Sequence, residues 1–570
     1  MKTSFVARLS LALMPLSLAT GGAVALSTTM VACADENAPE TWVKRLDDPA
    51  QRATAIQRLS GMFEKAMTDA NKNRSDPKVK ELLDKIVEPL TKQYTGTSLD
   101  EKTRKELIKF IADTRDPRAM PAFSKAFNEF EPGKNDDDVR YAAQAMTGLA
   151  KEGKATDQTA IDALWNCFAK FQPSKAKSIN LVKDLADAVL AVKHTSYGPK
   201  AAEKLAGKVT DPKNPSEGMD QIQFWQATSV RIISELKYTG AAKALVTVLL
   251  TPQKQDLRGV VNNALMKMPK EAEPLLIGAL NGSDPDFAKL GEAFGAEKTH
   301  LAIVADTLAW LSRPAGRDAI IDAINKATTD TQRTVMAQAL IRFPSDKKVT
   351  DAFLGAYGKI APNSAIALLG GVDAHAALCQ AASHFYQPAL TTWLLKEITS
   401  AKGEQADAIH LYALEASIKL MGPAHVKDVE AAVGKFGTPR EKAMFENANK
   451  ALTQCKEDAA CYVGLLDQPV PATPDTAKYV AVKASWMAAA YGNEKTRGDL
   501  VAKLDKVKDG AIRLDVAEAI DHLSPPGDEA TAKALEKIVE SDLAAGNKEL
   551  IGADDALAKV ALKLRARALP

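Results

Sequence analysis

Apolar residues recur at helical spacing in many separate segments of the chain. In "LDDPAQRATAIQRL", residues 46–59, an Asp-Pro turn signal leads into Ala, Ile and Leu at intervals of three and four. Four later segments, each with an Asp near its start and an Arg a few residues on, repeat this arrangement: 136–150, 256–268, 330–343 and 509–523. The pattern predicts amphipathic helices that follow one another, because no long alternation of β-branched and aromatic residues indicates a strand.

A second apolar stretch follows several of these segments after a Gly or a Pro. "AAKALVTVLL" follows Gly240, "KEAEPLLIGAL" follows Pro269 and "AGRDAIIDAI" follows Pro314. Gly and Pro interrupt helices, so the unit is predicted to be helix, turn, helix, turn. One such pair cannot bury its apolar face alone. We therefore predict an all-α fold, an α-solenoid of antiparallel helix pairs over residues 41–570. Unrelated helices in a globular all-α fold are the alternative.

The Asp and Arg positions carry a resemblance to a known family. The segments with Asp137, Val139, Arg140 and Ala143, and with Asp509, Ile512, Arg513 and Ala517, resemble the HEAT repeat. The resemblance implies a HEAT-like superhelix in which Asp and Arg form a ladder between neighbouring units. It gives that structural role to Asp137, Arg140, Asp256, Arg258, Asp330, Arg333, Asp509 and Arg513. The alternative role for these residues is that of ordinary helix caps and solvated charges.

The first 32 residues have the organisation of an export signal. Lys2 and Arg8 precede a mostly apolar run that ends in small residues. This order predicts a secretory signal peptide over residues 1–32 rather than a membrane span, and it places the mature chain outside the cytoplasm.

The residues at the end of this leader resemble a bacterial lipobox. They read Met-Val-Ala-Cys, with Met30 where that family prefers Leu, Val or Ile. The resemblance implies that Cys33 is lipidated and becomes the mature N-terminus, with residues 33–40 as a short tether to the membrane. The alternative is cleavage at Ala-Cys-Ala, residues 32–34, which would release a soluble periplasmic or secreted protein.

Charge argues against a general role in binding nucleic acid. The chain has 74 Lys and Arg residues against 72 Asp and Glu residues. Loss of the leader removes Lys2 and Arg8 and no acid, so the mature chain has no formal net charge. Proteins that bind nucleic acid usually carry a basic surplus. We therefore predict no nucleic-acid partner.

A pair of cysteines and a separate cluster of histidine and cysteine residues could form a disulfide or bind a metal ion. Cys455 and Cys461 can form a disulfide if the five residues between them make a turn, and an exported protein meets oxidising conditions. Two free thiols are the alternative.

His375 and Cys379 lie four apart on one predicted helix face, and His384 follows. No further ligand shares that face, so we interpret Cys379 as a core residue and predict no metal ion and no cofactor.

The sequence contains none of the common phosphate-binding, dinucleotide-binding, zinc-protease or serine-hydrolase motifs. We therefore predict no catalytic residue. The expected function is a non-catalytic scaffold of the bacterial cell envelope that binds a protein or a peptide and contacts the membrane only through its lipid anchor. Two alternatives stay open. One is an enzyme similar to the bilin lyases, which contain such repeats, and the other is a passive envelope spacer or assembly factor.

Overall fold

A computed structural model describes residues 35–96, 98–471 and 473–568. In this part of the chain α-helices follow one another, and the one sheet is a two-stranded antiparallel hairpin. The helices are α1 Pro39–Arg45, α2 Arg52–Asp69, α3 Pro77–Gly96, α4 Glu101–Thr114, α5 Met120–Asn128, α6 Asp136–Lys151, α7 Gln158–Lys170, α8 Ile179–Val192, α9 Tyr197–Leu205, α10 Ala227–Leu236, α11 Ala242–Leu249, α12 Arg258–Met266, α13 Pro269–Asn281, α14 Pro285–Gly291, α15 His300–Leu311, α16 Pro314–Lys326, α17 Asp330–Ala339, α18 Lys347–Tyr357, α19 Ala374–Ala381, α20 Leu390–Ser400, α21 Ala406–Leu420, α22 Val426–Phe436, α23 Pro439–Cys455, α24 Ala459–Leu465, α25 Tyr479–Tyr491, α26 Glu494–Lys503, α27 Gly510–Leu523, α28 Glu529–Ala545 and α29 Ile551–Ala566. The strands are β1 Ala365–Ile366 and β2 Val372–Asp373. The predicted all-α class is confirmed.

Short polar residues determine where many of these helices begin. The Asp509 carboxylate accepts from the backbone N–H groups of Ala511 and Ile512, at 3.0 and 3.1 Å. Such a cap satisfies N–H groups that have no partner inside the helix, and it places negative charge at the positive end of the helix dipole. Other side chains that accept in this way are those of Asp157, Ser178, Asp284, Thr329, Asp346, Asp373, Thr438, Asp458, Asn493 and Asp528.

The chain divides into two compact units, with the boundary between Phe110 and Ile111. In the first unit α1 packs on α2 and α3, and α2 packs on α3. Trp42 of α1 is buried, and its indole N–H donates to the carbonyl of Glu36 at 2.8 Å. The Phe63 and Phe110 rings pack with their centroids 6.0 Å apart.

The second unit is built of two helix layers that advance in chain order. From α13 to α29 each odd-numbered helix packs against the next odd-numbered helix. Even-numbered helices form a second layer, in which α16 packs on α18, α20 on α22, and α26 on both α24 and α28. Contact between equivalent helices of successive pairs is what defines a solenoid, and it matches the helix–turn–helix unit predicted from the sequence.

The array of the second unit also returns on itself, which stacking between neighbours does not predict. The last helix, α29, packs on α27 and α28 and in addition on α12 and α15. Across this closure the Arg313 guanidinium donates to the carbonyl oxygens of Ala566 and Ala568, at 3.3 and 3.0 Å. Segments more than 250 residues apart in the chain therefore share one interface.

The described helices include none that is long and apolar enough to span a membrane.

Candidate binding groove

A groove of about 630 Å³ opens in the second unit, lined by α12 and by several odd-numbered helices. Its lining comes from α12, α15, α17, the 3₁₀ turn Leu340–Arg342, α19 and the turn between the two strands. We call it the inner groove. Because successive helix pairs contribute to it, the groove crosses the array rather than lying within one unit, which is typical of ligand surfaces in helical repeats.

The hairpin between α18 and α19 supplies one edge of the inner groove. Its turn carries Leu368 and Leu369, and Leu368 is 48% exposed at the rim of the cavity. Gly370 and Gly371 follow with φ of 69° and 84°, values that side-chain-bearing residues rarely adopt. The two glycines let the chain reverse tightly, which holds an apolar side chain at the edge of the groove.

The lining of the groove also includes apolar and charged side chains from other elements. Phe294 and Ile303 line it, as does Asp306 of α15. The Asp306 carboxylate accepts from Arg258 of α12 at 2.9 Å, and Arg342 Nε lies 3.4 Å from its other oxygen. One carboxylate is thus shared by two guanidinium groups from neighbouring pairs.

Trp310 and Lys559 lie next to the inner groove without lining it. The Trp310 ring has the Arg342 guanidinium 4.1 Å from its centroid and the Lys559 ammonium 3.7 Å from it. Among the described residues no carboxylate forms an ion pair with Lys559. Burial lowers the pKa of Lys559 to about 8, and the charges of Arg342 and Arg258 add to this effect while Asp306 opposes it. We call Arg258, Asp306 and Arg342 the charged floor of the groove, in which two cations face one carboxylate.

A smaller cavity of about 100 Å³ adjoins the groove where α15, α27 and α29 meet. Both cavities share Ile341, Arg342 and His384. His384 Nδ1 lies 2.9 Å from a Glu518 oxygen, which connects the turn after α19 with α27. Burial opposes ionisation of Glu518, but the hydrogen bond and charge of His384, with the charge of Arg342, hold the pKa of that carboxyl below its usual range. Tyr386 is buried at this cavity, and its hydroxyl has no hydrogen-bond partner in the described part of the chain.

Buried histidines make the stability of the second unit depend on pH. Burial lowers the pKa of His300 and of His522 to about 4 each. At His522 the charges of Lys563 and Arg567 act in the same direction and Asp521 opposes them. An unfolded histidine has a pKa of about 6.5, so between pH 6.5 and 4 the unfolded chain binds more protons than the folded one.

We therefore expect the free energy of unfolding to fall as the pH is lowered from about 6.5 to about 4, by on the order of 3 kcal/mol for the nearly buried His300 and by less for His522. Urea titrations at stepped pH measure it. The variant His300→Gln should show a shallower slope over the same interval. An identical slope in that variant would contradict the assignment.

The structure brings two of the predicted Asp–Arg pairs together within their own helices. Arg140 lies 3.8 Å from Asp137 in α6, and Arg333 lies 2.8 Å from Asp330 in α17. Asp330 also accepts from the backbone N–H of Ala361 at 3.1 Å, which connects α17 to the loop after α18.

The other two predicted pairs are separate in the described structure. Asp256 is exposed, whereas Arg258 binds Asp306. Asp509 caps α27 and lies 3.0 Å from Lys478. Arg513 is fully buried, and its guanidinium binds Asp542 of α28 and Asp554 of α29.

The remaining predicted residues have diverse surroundings. Cys33 lies outside the described residues. His375 packs edge-on against Tyr357 with ring centroids 4.5 Å apart, Cys379 is fully buried, and His384 pairs with Glu518. In the described part no group of three or more His, Cys, Asp or Glu side chains is placed to hold a metal ion.

Cys455 and Cys461 are joined by a disulfide, with Cα atoms 5.4 Å apart, across the turn between α23 and α24. Closing this short loop restricts the unfolded chain and is expected to contribute about 2 kcal/mol. We expect the double variant Cys455→Ser, Cys461→Ser to lose that amount in denaturant titration, and reduction of the native chain to have the same effect. Equal stability with and without reductant would argue against this contribution.

The key residues of the groove were not predicted from the sequence. Arg258, Asp306 and Arg342 are ordinary charged residues within helical patterns, and closure of the array is what brings Lys559 to Trp310 beside the groove. The Gly-Gly pair at 370–371 is a recognised hairpin signal, and it could have located the rim.

Comparison with known proteins identifies no family for this chain. No protein-family model and no curated protein matches the chain. One similar solved structure comes from a study of a phosphorylation switch that controls the interaction between cadherin and β-catenin. It is 15% identical over 92% of this chain and 99% of that chain, with a TM-score of 0.29. A crystal structure of importin beta is 11% identical over 93% of this chain and 80% of that chain, also with a TM-score of 0.29. The architecture described above therefore rests on the helix contacts of this chain.

Proposed function

We propose that this chain is a non-catalytic scaffold that binds a protein or peptide segment in the inner groove. The observation that carries the proposal is the groove itself, which joins surfaces of successive helix pairs and has an exposed Leu368 fixed at its rim. Ligand sites are concave and combine apolar surface with a few fixed polar groups, and this groove combines Phe294, Ile303 and Leu368 with the Arg258–Asp306–Arg342 cluster. A passive spacer has no need of such a site.

We further propose that the scaffold works in the bacterial cell envelope, held at a membrane by a lipid on Cys33. The leader over residues 1–32 and the lipobox-like residues before Cys33 support this location. The disulfide between Cys455 and Cys461 also supports it, because disulfides persist in oxidising compartments outside the cytoplasm.

Site-specific photo-cross-linking in cells tests the binding role. A photoreactive amino acid at Leu368, on the groove rim, should capture a partner protein. The matched control is the same amino acid at Leu543, which is 64% exposed on α28. Capture at neither position, or equal capture at both, would count against the groove as the binding site.

Mass spectrometry of the mature N-terminus tests the location. We expect an acylated Cys33, with the Cys33→Ser variant released from the membrane fraction. A mature chain that begins after Cys33 would remove the anchor from the proposal.

A further inference from the structure

The positive floor of the inner groove indicates which partner chemistry fits it. Arg258 and Arg342 line the groove on either side of Asp306, and Lys559 lies beside the groove on the Trp310 ring. Two lining cations against one lining carboxylate leave one excess positive charge, and Lys559 adds a second next to it. Fixed cations in a partly buried site favour an anionic group on the ligand, since they are already held in place before binding.

The three cations are fixed by contacts that leave donors for a ligand. Arg258 binds Asp306 through one terminal nitrogen, and a guanidinium has five N–H donors. The Arg342 guanidinium lies over the Trp310 ring and beside Asp306, and the Lys559 ammonium packs on the same ring. A carboxylate that enters the groove can therefore accept from several donors without displacing Asp306.

The groove also has apolar lining residues. They include Phe294 and Ile303, and Leu368 and Leu369 of the hairpin turn, among polar side chains of α17 and α19. A cavity of about 630 Å³ is large enough for a short peptide segment. A ligand that alternates acidic and apolar side chains matches both surfaces at once.

From this juxtaposition we infer that the inner groove binds an acidic peptide segment of a partner protein, with a carboxylate against Arg258 and Arg342 and apolar side chains against the hairpin edge. This inference rests on the proposed function and specifies its ligand. A segment of balanced or basic charge would leave the excess positive charge of the floor without a counterion.

The test uses the full chain and two fluorescent peptides, one alternating leucine and glutamate and one alternating leucine and glutamine. Fluorescence anisotropy should show the glutamate peptide binding at least about tenfold more tightly, because a charge-assisted hydrogen bond contributes about 1.5–3 kcal/mol. Added salt should weaken it.

Three variants that each remove one positive charge locate the site. Arg342→Gln and Arg258→Gln should each weaken glutamate-peptide binding by about tenfold. Lys533→Gln is the control, because Lys533 is exposed on α28 and outside the groove, and it should bind as the wild type does. Circular dichroism and thermal unfolding establish that each variant is folded. Equal binding of the two peptides, no binding of either, or full affinity in both groove variants overturns the inference. Tighter binding of an oligonucleotide of equal charge, lost in those variants, also overturns it.

Failure of this inference differs from failure of the proposed function. If the photoreactive group at Leu368 captures a partner while the two peptides bind equally, the scaffold role holds and the acidic ligand is wrong. If the glutamate peptide is selected but no partner is captured in cells, the groove chemistry holds and the scaffold role is wrong.

Discussion

Replacement of Arg513 by Ala is expected to destabilise the second unit by about 3–5 kcal/mol, because it leaves two buried carboxylates without their counter-charge. Arg513 is fully buried in α27, and its guanidinium binds Asp542, Asp554 and the carbonyl of Leu504. The cation thus connects the last three helices. Denaturant unfolding with a probe of the second unit measures the loss.

The pH dependence of this variant identifies the cause. Burial raises the pKa of Asp554 above its usual range, and Arg513 opposes that effect. Without Arg513 the carboxylates can be protonated at mildly acidic pH, so the deficit relative to wild type should shrink as the pH falls toward 5.

The control is Arg565→Ala. Arg565 is about one-third exposed and pairs with Glu529 and Glu536, so its loss is expected to cost no more than about 1 kcal/mol. Equal losses in the two variants would contradict the role assigned to Arg513.

Replacement of Asp521 by Asn is expected to release α29 from α27. The Asp521 carboxylate lies 2.5 Å from Lys563 and 3.2 Å from Arg567, and both cations are almost completely buried. Burial opposes ionisation of Asp521, but these two cations hold its pKa below the usual range. Asparagine leaves the two cations uncompensated, at a cost of about 3 kcal/mol or more.

Hydrogen exchange measures the expected loss of amide protection helix by helix. Amides of α29 should exchange much faster in Asp521→Asn, and those of α12 and α15 should follow because α29 covers them. Asp555→Asn is the matched control, since Asp555 is an exposed carboxylate on α29 itself. Unchanged protection of α29 in Asp521→Asn would show that this ion-pair cluster does not hold the closure.

The repeat pattern predicts local structure well and the closure not at all. Apolar spacing around Arg513 and the Asp509 cap predicts α27, because both depend on residues within one or two turns. The partners of Arg513 are Asp542 and Asp554, which lie far from it along the chain. Whether they contact Arg513 depends on how the last helix pairs stack. A local Asp–Arg motif cannot identify Asp542 and Asp554 as the partners of Arg513, because several acidic residues fit the same motif.

The charged surroundings of the inner groove also could not be predicted from the sequence. Trp310 and Lys559 are almost 250 residues apart, and only the small rotation between successive pairs, summed over the array, brings them together. Sequence periodicity indicates that pairs stack but does not give that rotation. For this reason an array was predictable, whereas the charged floor of the inner groove was not.

The distance between the N-terminal end of α16 and the C-terminal end of α29 tests the closed array most directly. Spin labels at Ala315→Cys and Ala568→Cys, in a chain with Cys33→Ser, report it by electron–electron resonance. Because Arg313 contacts Ala568, the closed array predicts a narrow distribution at about 30 Å or less, once the label arms are included. An array that stacks only in chain order places seven helix-to-helix steps of about 8–10 Å between these sites, and a distribution centred near 60 Å would contradict the account.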